Sequence, residues 1–250
     1  MPVNIQIPEL GNKFQDYRNP IPGDSYNWGP SVNANNIQYL TFHHSVTPQT
    51  AKSDSNWKAE CDKIANLHLA RGWAGVGYRF IICSDGTVAY VGDLSRGGSA
   101  VAEMNDVMFS VCFVGDFTKE LPTAAQIHSA HLLAKFFFTQ APQYPKLDSF
   151  DDIRGHRDFN ATTCPSPNWR VEGDNLKNRI IADLWQGYPD PQPAGIQSPP
   201  QTPPPSNDQV AALTNTINDL TATRTKVKEI IYGKGWPWQK MNQLKALLPQ

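Results

Sequence analysis

Residues 155–165, GHRDFNATTCP, place a histidine and a cysteine eight positions apart in a polar loop, and this pair constrains the fold more than any other feature of the chain. Imidazole nitrogen and thiolate sulfur are the ligand types zinc prefers, and a loop rich in Asn, Thr and Pro can turn both side chains toward one point. Two ligands leave a catalytic zinc incomplete, so a third donor must come from elsewhere. The best source is residues 39–45, YLTFHHS, where an apolar run delivers His43 and His44 at what reads as a strand end. Adjacent strand residues point to opposite faces, so only one of these histidines can face the metal. Any fold the chain adopts must therefore bring a strand end near residue 43 against a loop near residue 160.

Composition narrows the class. A chain of 250 residues with 40% hydrophobic content supports one well-packed core plus an appendage. The net charge of -1 leaves no broad basic field for neutralising phosphates, which argues against a nucleic-acid partner. The first residues, MPVNIQIPELGNK, lack the basic and apolar regions of a signal peptide, and no apolar run approaches membrane-spanning length, so no membrane partner is expected. Cys61, Cys83, Cys112 and Cys164 form no short-spaced disulfide framework, which suits synthesis in a reducing cytoplasm.

Taken in order, residues 1–36 read as an irregular N-terminal arm with a short strand at 3–7, and residues 37–43 read as a strand entering the core. Trp57, Cys61, Ile64 and Leu67 recur at helical spacing over 56–71, with Ser53 or Ser55 as cap and Gly72 as stop. Residues 77–84 and 87–91 are β-rich and joined by Ser84-Asp85-Gly86, which predicts a hairpin. The run VMFSVCFV at 107–114 predicts a strand buried on both faces. Thr123 and Gln126 form a capping box at the start of a helix reaching Phe138, a short strand is expected near Ile153, and a last helix spans 175–185.

The character changes at 189–206, where eight prolines fall within eighteen residues, the composition of a semi-rigid linker. In 207–250, Val210, Leu213, Ile217, Leu220, Val227 and Ile231 recur at spacings of three and four, interrupted by Arg224. This segment reads either as a homo-oligomerising helix or as a helix folding back on Trp236 and Trp238 in a wall- or assembly-targeting module. Its six Lys or Arg against three Asp or Glu make it mildly basic.

Within 37–188 the motifs, in order, resemble the zinc-dependent N-acetylmuramoyl-L-alanine amidases shared by phage lysozyme-type endolysins and peptidoglycan recognition proteins. Phe42-His-His-Ser45 is similar to the family's first ligand motif. Arg71-Gly-Trp73, Gly77-Tyr-Arg-Phe80 and Ser84-Asp-Gly-Thr87 resemble its helix end, strand and hairpin, and residues 110–115 resemble its central strand. Gly155-His-Arg-Asp158 through Cys164-Pro165 resembles its second and third ligand motifs.

The resemblance implies an α/β fold: a central mixed β-sheet flanked by helices, followed by the proline-rich linker and a small C-terminal helical segment. It implies one Zn2+ held by His43, His156 and Cys164, with peptidoglycan as partner and the amide between N-acetylmuramic acid and L-alanine as the bond cleaved. Tyr78 matches a tyrosine beside the zinc, and Thr162 a residue that bonds the developing oxyanion, although a loop threonine can equally bond its own backbone. His68 sits at a family-like position for a substrate contact or for a packed helix histidine. Cys112 stands where one branch carries a glutamate base, which shifts the catalytic burden to Tyr78, Thr162 and the metal. Arg79 and Arg96 are candidates for pairing with substrate carboxylates, since Arg offers bidentate donors. A phage or prophage endolysin, kept in the host bacterial cytoplasm until its release to the wall, is the expected setting. A non-catalytic peptidoglycan-binding module and a virion-associated wall-penetrating component are the alternatives.

Overall fold

A computed structural model describes residues 3–50, 56–139, 143–170 and 175–182. The proline-rich and C-terminal segments expected at 189–206 and 207–250, with the possible oligomerising helix, lie outside the described residues, as do Ser53, Ser55 and Trp185. The described residues form a six-stranded mixed sheet in the order β1-β4-β3-β5-β2-β6, flanked by helices. Its strands are β1 (Phe14–Asp16), β2 (Tyr39–His44), β3 (Phe80–Ile82), β4 (Val88–Tyr90), β5 (Met108–Phe113) and β6 (Ile153–Gly155). Only β3 and β4 pair antiparallel, and the other neighbours run parallel.

The apolar run MFSVCF of β5 is buried at every position, as a strand covered on both faces must be. On one face Phe42, Phe80, Phe109, Val111 and Phe113 pack beneath α2 (Ala124–Phe138), joined by Ile127, Leu133 and Phe137. On the other, Ile81, Cys83, Cys112 and Val114 meet Cys61, Ile64 and Ala65 of α1 (Trp57–Leu69). Helix α1 is capped by Asn56, whose side chain accepts from the Ala59 amide, and it stops at Gly72, which takes φ +81. The expected capping box at Thr123 and Gln126 is present. The hairpin turn closes through Gly86 at φ +83, with the Asp85 carboxylate accepting from the Thr87 amide at 2.8 Å. A short α3 (Leu176–Ala182) completes the described chain.

The strand expected at 3–7 is not formed. Those residues are held instead by side chains: the Val3 amide donates to the Asp93 carboxylate at 3.0 Å, and buried Arg18 reaches Asp93 at 2.6 Å and the Val3 carbonyl at 2.9 Å. The strand contributed by this arm comes later, where Phe14–Asp16 pairs with β4 at the sheet edge.

Candidate metal centre

Strand β2 carries alternate side chains to opposite faces of the sheet, and this separates its two terminal histidines. His43 points to the α1 face and is almost fully buried, with Nδ1 3.7 Å from the Cys164 Sγ and its ring 4.9 Å from that of His156. His44 points the other way, where its Nδ1 accepts from the Phe117 amide at 3.0 Å. The main chain of His44 still serves the site, because its amide donates to the Cys164 sulfur at 3.5 Å. The candidate ligand atoms of His43, His156 and Cys164 all lie within 4.8 Å of one another.

The second half of the site is built by the loop after β6. The Asp158 carboxylate accepts from the Gly155 amide at 2.7 Å and from the Trp169 indole N–H at 2.9 Å, folding the loop over a fully buried tryptophan. A Cβ on Gly155 would stand 2.6 Å from the Trp169 Nε1 and 2.7 Å from the Pro165 ring, so this position admits glycine alone. The Arg157 amide donates to the Cys164 carbonyl at 2.8 Å, which closes the loop and brings the sulfur back toward the strand. The Asn160 side-chain amide lies 3.2 Å from the His156 Nε2 at the mouth of the loop.

The electrostatics suit a cation. Burial lowers His43 well below the usual imidazole range, helped by its neighbours His156 and His44, and burial alone lowers His156, so both rings are neutral and keep lone pairs to offer. Burial pushes the Cys164 thiol up to about 12, offset in part by the His44 amide, and a bound cation reverses that preference because a coordinating thiol gives up its proton. Tetrahedral zinc with bonds of roughly 2.0–2.3 Å sets ligands about 3.5 Å apart. The sulfur and nitrogen of Cys164 and His43 are close to that spacing, and the donor set fits zinc.

Around this cluster the expected residues separate. The Tyr78 ring is 5.3 Å from that of His43. Burial and the neighbouring Cys112 and Cys164 push its phenol well above its usual value, so it is a hydrogen-bond donor. Thr162 Oγ1 accepts from the Cys164 amide at 3.2 Å, the backbone bond of an ST-turn, which fixes the hydroxyl two residues from the sulfur. His68 is buried, and its Nδ1 accepts from the Gly77 amide at 3.2 Å between the rings of Trp73 and Tyr78, so it positions the Tyr78 segment. Arg96 is partly buried and donates to the Ser31 hydroxyl at 3.0 Å.

Arg79 corrects an expectation. It is fully buried, its guanidinium donates to the Val76 and Asp93 carbonyls at 3.3 Å, and it fills the space a Cβ on Gly92 would need, so it ties loops together and offers nothing to a substrate carboxylate. Asp158, Asn160 and Trp169 were not singled out by sequence. The signal for Asp158 is its place two residues after the candidate ligand His156, where a carboxylate is close enough to bond the loop it sits in.

A family model, Amidase_2, N-acetylmuramoyl-L-alanine amidase, matches residues 33–167. Peptidoglycan-recognition protein LB of Drosophila melanogaster is 25% identical over 177 residues, covering 66% of this chain and 75% of that protein. The N-acetylmuramoyl-L-alanine amidase of Sus scrofa is 30% identical over 155 residues, covering 58% of this chain but 23% of that longer protein. Among solved structures, a variant of Drosophila peptidoglycan-recognition protein LB in complex with tracheal cytotoxin aligns with a TM-score of 0.50 at 23% identity, covering 62% of this chain and 89% of that one. The amidase LysC from Clostridium intestinale aligns at 0.47 with 26% identity, covering 64% and 93%.

Proposed function

The chain belongs to the N-acetylmuramoyl-L-alanine amidase family, and on that premise we propose that it hydrolyses the amide joining N-acetylmuramic acid to L-alanine in bacterial peptidoglycan, using one zinc ion. The observation that carries this reading is the convergence of His43, His156 and Cys164 on one point at the end of β2. Three protein ligands leave a fourth position open, the arrangement of a catalytic rather than a structural zinc. When bound, zinc supplies Lewis-acid polarisation of the scissile carbonyl and makes water acidic enough to attack near neutral pH.

The chain's own groups do the rest. His43 and His156, held neutral by burial, and Cys164, as the thiolate, would hold the ion. Tyr78, kept protonated beside His43, donates toward the carbonyl oxygen as charge builds on it, and Thr162 offers a second hydroxyl from the ligand loop. Asp158 and Trp169 keep that loop from opening. The proposed setting is a phage or prophage endolysin that stays in the host cytoplasm until it is released to the wall.

Mass spectrometry of digested peptidoglycan tests the reading. Release of intact stem peptides bearing a free L-alanine amine is the expected result. New reducing sugar ends would indicate a glycosidase, and binding without release would indicate a non-catalytic recognition module.

A further inference from the structure

Three buried polar atoms, Thr41 Oγ1, Ser110 Oγ and His43 Nε2, have no hydrogen-bond partner among the described residues. Leaving a buried polar group unpaired is destabilising, so three at one place call for an explanation. They share one patch. Thr41 and His43 are two residues apart on β2 and so face the same way. In the β2–β5 register Thr41 pairs with Ser110 and His43 with Cys112. Thr41 and Ser110 are fully buried, and His43 is 1% exposed. The loop at Gly98 roofs the patch: a Cβ there would stand 3.6 Å from the Ser110 hydroxyl and 2.3 Å from the Gly77 carbonyl, so glycine alone lets the loop close down.

The orphan on His43 is the nitrogen left over when Nδ1 faces the Cys164 sulfur. A histidine ligand needs an acceptor for its other N–H, because that bond fixes the tautomer and ring orientation and so presents the lone pair to the metal. Hydroxyls both donate and accept. A buried water typically makes about three hydrogen bonds to groups that lack partners, and here three such groups face one enclosed patch.

We infer that Thr41 and Ser110, through one shared buried water, accept the Nε2 proton of His43 and act as positioning residues for the metal ligand. The inference rests on reading His43, His156 and Cys164 as zinc ligands and extends it to the residues beneath them. Deleting an outer partner of this kind costs roughly 10–100-fold in metal affinity.

The test uses the full chain and inorganic zinc, with dissociation constants read by chelator competition for wild type, Thr41→Val, Ser110→Ala, the double variant and the hydroxyl-keeping Thr41→Ser. In parallel, nitrogen-15 NMR of the metal-free chain reports which nitrogen of His43 carries the proton. The expected result is a loss of about 10–100-fold in zinc affinity for the double variant, an intermediate loss for each single deletion, and a value within about twofold of wild type for Thr41→Ser. The expected wild-type tautomer has the proton on Nε2, with that preference weakened in the double variant. A double variant that binds zinc like wild type, or a wild-type His43 protonated at Nδ1, overturns the inference. Should the double variant not fold, the single deletions and the wild-type tautomer still decide it. A wild-type chain that takes up no zinc would sink the metal reading alone, and the tautomer would still judge the hydroxyl shell.

Discussion

The Sγ of Cys164 and the Nδ1 of His43 stand 3.7 Å apart although 121 residues separate them in the chain. Because β2 pairs with both β5 and β6, backbone hydrogen bonding in the sheet fixes the strand end and the root of the ligand loop together. Cys164→Ser or His156→Ala leaves this scaffold intact but removes a donor. Zinc affinity is expected to fall by more than the roughly 10–100-fold that loss of an outer partner costs, with hydrolysis lost and peptidoglycan binding retained in part. Stripping the metal with a chelator should do the same to the unmodified chain and be reversed by added zinc. Isothermal titration and a peptide-release assay check both, and full activity in the stripped chain would rule the zinc mechanism out.

Asp158 holds three donors at once: one carboxylate oxygen accepts from the Gly155 amide and the Trp169 indole, and the other pairs with the Arg170 guanidinium at 3.1 Å. Asp158→Ala strands the amide and the indole in a buried place, and at about 1–3 kcal/mol for each unsatisfied group the loss of stability should reach about 2–6 kcal/mol. The shift is read from the urea midpoint. Asp158→Asn, which keeps one acceptor oxygen, should cost less, and equal losses for the two variants would show that hydrogen bonding is not what Asp158 contributes.

Tyr78 lies beside His43 with its phenol held protonated. Tyr78→Phe removes one hydroxyl and preserves the ring packing on His43 and His68. If that hydroxyl donates to developing charge, kcat should drop by about 100- to 1,000-fold, the cost of losing one oxyanion donor, while zinc affinity and unfolding midpoint stay near wild type. A change confined to KM would assign Tyr78 to substrate binding instead.

These expectations were legible in the sequence to different degrees, for physical reasons. The capping box at Thr123, the turn at Asp85-Gly86 and the uninterrupted apolar run of β5 are local signals, each decided by residues within a few positions of one another. The candidate ligand set came from the family resemblance: residue chemistry marks histidine and cysteine as zinc donors but left His43 and His44 both open. Strand β1 was not legible, since three residues on a sheet edge carry no alternation and their pairing with Val88–Tyr90 is settled by distant neighbours. Arg79 misled for the opposite reason: a charged side chain reads as solvent-facing, and only the gap above Gly92 and the two carbonyls around it make its burial tolerable. The partition of His43 from His44 follows from strand alternation, but which of them faced Cys164 depended on where residues 155–165 landed.

His68 supplies a pH dependence whose sign can be worked out. Burial, and secondarily the charge on Arg71, lower its pKa from 6.5 to about 4 in the folded chain. The unfolded chain therefore binds a proton on this residue between pH 6.5 and about 4 while the folded chain does not, so stability must fall as pH drops through that window and level off below it. The neutral ring is also the form whose Nδ1 can accept from the Gly77 amide, so protonation below the window breaks that bond and frees the segment leading to Tyr78. Replacing His68 with Gln keeps an acceptor but removes the titration. Urea midpoints measured every half unit from pH 7.5 to 4 should fall less steeply for His68→Gln than for wild type, and parallel curves would show that another group sets the acid sensitivity.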